Sequence, residues 1–388
     1  MTDDVLDIPF ADAFSFDPSP TWARLREEAP VVRVRTLAGA LVWLVTRYDD
    51  VKLVLADPRF SRAGVVAAGA PRVGVSRPLP GTLPTTDPPE HTRLRKLVSG
   101  AFSHRRIEQT RPWVRELCEQ LADDVVDGVD LRQVYALPLP IQVICTLLGV
   151  PYEDRERFRE WVELAYSMEM SEQPRVEAAM ASLLEYMGTL VAAKRREARS
   201  DDLLDELCTT PLTHDELVAF ALNLLVAGHE TSANQITSFV ATLLRERSQW
   251  ERLARDPSLV PSAVEELMRF TRLSEVGQLR VASEDVEIAG VVIRAGDGVM
   301  AAIGSANRDP RAFAAPDRLD LGRTPNQHLA LGAGPHFCLG AQLARIELQE
   351  ALSVLTRRFP GLRAARPVEE LAWRKVLVSG LAELPVVI

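Results

Sequence analysis

A chain of 388 residues, 47% hydrophobic and 26% charged, has the composition of a soluble globular protein with material for a large core. Its formal net charge of −9 argues against a nucleic-acid binder, whose footprint should be basic. The N-terminus, MTDDVLDIPFADAF, is acidic where a signal peptide would carry a basic region and an apolar run, and the apolar stretch AFALNLLVAG is too short to span a bilayer. A cytoplasmic protein with no membrane segment is expected.

Residues 31–46 read as a hairpin, with β-branched residues flanking a Gly-containing turn. A short helix at 48–56 stops at Asp57-Pro58. The stretch 62–88 is rich in glycine and proline and has no clear periodicity, which suggests a lid or a binding loop. Helical patterns follow Pro89 and cover about 104–126, 138–148, 152–170, 174–198 and 213–247. Thr213 and Glu216 form a capping box at the start of the last. At 1.5 Å per residue that helix is roughly 50 Å long, enough to cross a whole domain. Residues 275–300 switch to short strands, 307–328 read as coil, and a final helix spans 339–358. No linker divides the chain. The reading is a single large domain over 1–388, mainly α with a small β region. The β-rich parts lie at about 31–46, 275–300 and 373–388, and the helical parts at about 89–270 and 339–358.

The four cysteines, Cys118, Cys145, Cys208 and Cys338, are far apart and form no Cys-x-x-Cys pair. Neither a zinc ribbon nor a disulfide framework is indicated. Cys118 and Cys145 lie in apolar helical patterns and read as small buried side chains; Cys208 carries no signal. Cys338 stands apart, in LGAGPHFCLG. Gly332, Gly334 and Gly340 permit turns and close approach. Pro335 stiffens the loop, and a helix begins directly after the cysteine, where free N–H groups favour a thiolate.

This loop resembles the haem-binding loop of the cytochrome P-450 family, Phe-x-x-Gly-x-[Arg/His]-x-Cys-x-Gly. Gly334, His336, Cys338 and Gly340 match; Leu331 replaces the usual Phe, a departure that bears on redox poise. Three further stretches follow the family's order: EHTRLRK, AGHETS at 227–232, and EELMR. The likeness extends over nearly the whole chain and is greatest to soluble bacterial members of secondary metabolism. It implies the P-450 fold, with a long central helix crossing the distal face of haem b (iron protoporphyrin IX).

The resemblance also implies roles. Cys338 would be the metal ligand. His91, Arg95, Arg280 and His336 would hold the propionates. Glu266, Arg269 and Arg318 would form a buried network behind the haem. Ala227 and Gly228 would line the distal groove, with Gly228 letting the helix deform. Thr231 would bond the oxygen intermediate or its water, and Glu230 would gate protons. The alternative for Thr231 is a hydroxyl bonded back to its own helix carbonyl. Ser232 replaces a second Thr common in relatives. His229 is expected to pack or to face water, and His104, His214 and His328 to be structural or exposed.

The implied activity is a monooxygenase that uses dioxygen to hydroxylate or epoxidise a largely apolar natural product, such as a polyketide or macrolide, a terpenoid or a modified peptide. Electrons would come from NAD(P)H through a ferredoxin reductase and a ferredoxin, to a monomer. Oxidative C–C or C–N coupling, a peroxygenase and a non-catalytic haem binder are the alternatives. The basic stretch 91–106 (Arg93, Lys96, Arg105, Arg106) is a candidate ferredoxin dock or an ordinary solvated face. Segments 62–88, 166–175, Leu273 to Leu279 and Val376 to Leu381 are expected to meet substrate. Arg72, Arg77 and Glu275 are candidate polar anchors, and Met168 and Met170 adaptable contacts.

Overall fold

The computed structural model describes residues 5–75, 77–197 and 202–388. Four residues of the acidic N-terminus, Ser76 of the 62–88 loop and the last residue of the expected 174–198 helix therefore lie outside the described residues. The hairpin forms as read: β2 (Val31–Arg35) pairs antiparallel with β3 (Leu41–Val45). With β1 (Leu6–Asp7), β4 (Phe60–Ser61), β5 (Gln278–Ala282) and β6 (Gly298–Ala301) it builds one sheet in the order β1-β2-β3-β6-β5-β4. The N-terminal hairpin and the 275–300 strands thus form one body, through the parallel register of Trp43 with Val299.

The helices that position the site are α1 (Glu90–Ser99), α2 (Arg111–Leu121), α3 (Pro138–Leu148), α4 (Arg155–Ala165), α5 (Gln173–Glu197), α6 (His214–Arg245), α7 (Val260–Phe270) and α8 (Ala341–Arg358). The long helix α6 is the axis. Its capping box is present, with Thr213 N–H donating to Glu216 Oε2 at 2.7 Å and Glu216 N–H to Thr213 Oγ1 at 3.2 Å. From Ser232 to Leu244 every side chain is buried, because α3, α5 and α8 pack around it. A helix buried on all sides is a core helix, here despite the polar Ser232, Asn234, Gln235, Thr237, Ser238 and Thr242. Its buried threonines satisfy their hydroxyls internally, Thr237 on Ala233 O and Thr242 on Ser238 O. The stretch Met170–Glu197 has the length and composition of a membrane span. Its buried residues Val176, Ala179, Leu183, Met187 and Val191 instead form a stripe at helical spacing, and α5 packs on α4 and α6.

Behind the cysteine loop lies a fully buried carboxylate. Arg269 grips Glu266 with two bonds of 2.7 and 2.8 Å. The third member is Arg323 and not Arg318: Arg323 Nε lies 3.0 Å from both Glu266 oxygens. Arg318 is exposed and contributes only its carbonyl, to Arg323 Nη2 at 3.1 Å. The cause is a pair of consecutive turns. One, closed by Arg318 N–H to Ala315 O, leaves Arg318 outside; the next, closed by Arg323 N–H to Asp320 O, brings Arg323 back in. Arg269 also binds Asn307 O at 2.8 Å, and Asn307 Oδ1 accepts Leu329 N–H at 2.7 Å. The carboxylate is thereby tied to the start of the cysteine loop.

A second anchor was not legible. Glu265, next in the chain, takes two bonds from Arg345 on α8 and one from His328. Burial pushes its carboxyl up, but these donors outweigh it and hold it at about 2. His328 is thus structural, with a partner; His104 and His214 are exposed.

Removing Arg323 should strip the buried Glu266 carboxylate of one of its two cationic partners and cost about 2–3 kcal/mol, whereas Arg318→Ala should stay within about 0.5 kcal/mol of the parent. Urea unfolding of the two variants checks the assignment; equal losses would contradict it.

Candidate functional site

Gly332 and Gly334 adopt φ of 78° and 70°, the left-handed region that favours glycine. A Cβ at Gly334 would stand 2.6 Å from Ala56 Cα. The loop closes through Cys338 N–H to Leu331 O at 2.9 Å. Gly340 differs from the other two: its φ is −82° and a Cβ there would meet no atom within 4 Å. It borders the cavity, so its glycine matters for clearance toward an occupant and not for the turn. Leu331 packs against the main core and also lines the cavity, filling apolar space as its Phe counterpart would. Burial pushes the Cys338 thiol up, while the Gly340 N–H and the charges of Arg95 and Arg345 pull it down. It is a free cysteine. Cys118 and Cys145 are buried, as read from the sequence.

Above Cys338 opens a cavity of about 1320 Å³, larger than the roughly 300–1,000 Å³ of an ordinary small-molecule pocket. One part of its lining collects His91, Arg95, Arg280 and His336. Elements far apart in sequence deliver them: α1, β5 and the cysteine loop. The His91 and His336 rings lie 4.2 Å apart. Arg280 is 1% exposed yet donates only to Leu279 O and Gln278 Oε1, at 3.2 and 3.4 Å. Burial, with Arg62 nearby, lowers it to about 9; burial and His91 push His336 down to about 3. His91 Nε2 is buried with no acceptor. Asp87 lends these groups some field, but its carboxylate is taken up by Ser61 and the Arg62 and Ala63 backbone; they are desolvated donors that bond to no carboxylate among the described residues, the environment that two buried propionates require. With the free thiol and the clearance at Gly340, the residues present fit a haem. Arg62 joins this group unanticipated. Burial depresses it to about 10, and it donates to Pro84 O and Leu279 O, both at 2.7 Å.

On α6, Ala227, Gly228 and Thr231 line the cavity. The helix runs unbroken through them, contrary to the expected deformation at Gly228. The glycine instead admits a neighbour, since a Cβ would lie 3.1 Å from Ile144 Cδ1. Thr231 Oγ1 donates to Ala227 O at 2.7 Å, the back-bonded arrangement. Glu230, one residue earlier, is turned about 100° around the helix and does not border the cavity. It is fully buried between Arg132, at 3.2 Å, and Arg374. Burial raises its carboxyl, but the charges of Arg374 and Arg132 win and lower it. His229 packs as expected, with Nδ1 on Leu225 O at 2.9 Å.

The acid that does reach the cavity is Glu347, on α8. It is 1% exposed, and burial lifts it to about 8 despite a hydrogen bond from Ser232. A signal for it existed in the sequence. In LARIELQEAL it falls four residues after Leu343, on the apolar face of the helix that follows the cysteine. No local signal could have marked Arg132 or Arg374, which are distant in sequence from Glu230.

All four expected substrate segments contribute lining, among them Val65, Met168, Leu279 and Leu377. Arg72 and Arg77 line it too. Glu275 does not: it is buried against Arg272 at 2.9 Å. Met170 is exposed, 43% accessible, and only Met168 of that pair reaches the cavity.

The sequence matches the cytochrome P450 family model over residues 23–364. It is 47% identical to nocardicin C N-oxygenase of Nocardia uniformis subsp. tsuyamanensis, over 99% of this chain and 98% of that protein. It is 43% identical to mycinamicin IV hydroxylase/epoxidase of Micromonospora griseorubida, over 98% of each. The crystal structure of the LnmA cytochrome P450 hydroxylase of the leinamycin pathway of Streptomyces atroolivaceus superposes with a TM-score of 0.90 at 46% identity, covering 99% of this chain and 100% of that one. With this fold, this free cysteine and these relatives, the chain belongs to the cytochrome P450 family of monooxygenases.

Proposed function

We propose that this enzyme is a haem-thiolate monooxygenase that hydroxylates or epoxidises a largely apolar secondary metabolite. The carrying observation is the free Cys338 thiol at the base of a cavity large enough for both a macrocycle and a substrate. Cys338 would ligate the iron, and His91, Arg95, Arg280 and His336 would hold the propionates. When bound, the haem supplies dioxygen activation, and thiolate donation favours O–O cleavage. Hydroxylase and oxygenase relatives support this reaction class. NAD(P)H as electron source, a ferredoxin and its reductase as carriers, a monomeric state and a cytoplasmic location belong to the same proposal.

Proton supply falls to this chain's own side chains. The Thr231 hydroxyl lies on the cavity, held by Ala227 O, and orients whatever donor or acceptor is above it. Glu230 keeps its carboxylate off the cavity, held through Oε1 by Arg132 and Arg374. Glu347 borders the cavity protonated at neutral pH and within reach of Ser232, so we assign it the nearer proton store.

The basic stretch is partly neutralised internally. Arg93 pairs with Glu90 and Glu216, and Arg106 with Glu206. Lys96 and Arg105 are exposed and have no ion pair among the described residues. The short helix His104–Glu108 packs on α8, close to the cysteine side. Lys96 and Arg105 are therefore the better candidates for an acidic ferredoxin.

Three outcomes test these assignments. After reduction and addition of carbon monoxide, the parent protein should show the red-shifted Soret band of a thiolate-ligated haem, and Cys338→Ala should not. Lys96→Glu with Arg105→Glu should slow ferredoxin reduction about tenfold at low salt, measured by stopped-flow; reversal of the already paired Arg93 should do less. For Glu347, the folded value of about 8 lies above the ordinary 4.5. The stability it contributes is whole below the unfolded value and is lost as pH rises to about 8. Glu347→Gln should thus match the parent near pH 5 and exceed it near pH 8, by an amount on the order of a few kcal/mol. Parallel urea-stability profiles would show that Glu347 holds no such proton.

A further inference from the structure

When the cavity's charges are matched to partners, two guanidiniums remain. Arg272 is cancelled by Glu275. Arg95 and Arg280 belong to the propionate end. Arg62 sits in the field of Asp87, and its guanidinium donors go to Pro84 O and Leu279 O. Arg72 and Arg77, both on the 62–88 loop, have no acid partner among the described residues. Glu347 is the one carboxyl among the described residues that line the cavity, and it is bonded to Ser232 on the far helix.

Arg72 is not placed for solvent. It is half-buried, and its Nη2 donates to Val75 O at 2.7 Å, which fixes the guanidinium against its own loop. Its Nε is buried and has no acceptor. The neighbouring lining is apolar, with Val65, Val66, Pro78 and Leu79. A cation and a donor left unmatched in such surroundings cost free energy until a counter-charge arrives. Arginine's planar fork suits a carboxylate in particular. A neutral acceptor could take the Arg72 Nε–H but would leave the guanidinium charge unmatched, and an amine would be repelled.

We infer that the substrate carries a carboxylate, gripped by Arg72 with Arg77, while its apolar body extends toward the Thr231 face of α6. The inference rests on the oxygenase reading and adds a substrate class, acidic apolar metabolites, and a direction of binding. Oxidation would fall on a carbon remote from the acid group.

The test titrates the holoenzyme with decanoic acid, methyl decanoate and decylamine, following the Soret shift and, independently, heat of binding. The acid should bind about tenfold or more tighter than the ester, the fold-change one charge-assisted hydrogen bond is worth, and the amine weakest. Added salt should narrow the gap. Arg72→Gln and Arg77→Gln should each erode the acid preference, their combination should abolish it, and Arg72→Lys should restore part of it. An acid that binds no tighter than the ester, or a preference that survives the double variant, overturns the inference. Oxidation of the ester by the parent enzyme reports separately on the oxygenase reading. If the ester is oxidised and the acid preference is absent, only the carboxylate grip falls. If the arginine-dependent preference is present and nothing is oxidised, the grip stands and the oxygenase reading falls.

Discussion

The buried carboxylate of Glu266 is the interaction on which the rest of the site hangs. An ion with no solvent exposure persists only when every lone pair is matched. Here the matching donors come from its own helix, through Arg269, and from the coil before the cysteine, through Arg323, the Asp320 N–H and Asn326. Arg269 reaches on to Asn307, and Asn307 to Leu329. One charge therefore pins a coil of some length that would otherwise have little to fix it. Glu265 does the same for α8 through Arg345. Adjacent acids on one helix thus locate both ends of the loop that carries Cys338.

The cavity repeats the logic with the sign reversed. Its charged lining is dominated by guanidiniums and imidazoles that lack protein anions, so the protein is built around charges its ligands must bring. The end with His91, Arg95, Arg280 and His336 would be satisfied by the propionates of the proposed haem. The loop end, at Arg72, is left for something else. Between them, α6 presents a helix face with two cavity-lining hydroxyl residues, Thr231 and Ser232, and keeps its strong acid, Glu230, on the other side.

Much of this was legible in sequence because it is local. A capping box needs residues three apart, a Glu-x-x-Arg pair needs one helical turn, and the cysteine loop needs glycines at set spacings around a helix start. Each is decided within about ten residues, and each forms. The expected β regions, the long central helix and the buried Cys118 and Cys145 follow from periodicity in the same way. Where several partners met one charge across the chain, the reading slipped. Arg318 and Arg323 lie in one coil, five residues apart, and nothing local says which turn faces inward. Glu230 was read beside Thr231 as a proton gate, but adjacent residues on a helix point in different directions, and Arg132 and Arg374 hold it from elsewhere in the fold.

By itself the sequence determined the family, the axis helix, the turn geometry of the cysteine loop and the kinds of side chain gathered at one end of the cavity, since motif spacing and helical period encode those directly. Tertiary structure decided which arginine closes the Glu266 network, that Glu230 turns away from the cavity between Arg132 and Arg374, and that Arg72 and Arg77 have no acid partner among the described residues. The physical reason is common to all three. The state of a buried charge depends on the sum of its neighbours in space, and in this fold those neighbours come from segments that only packing brings together.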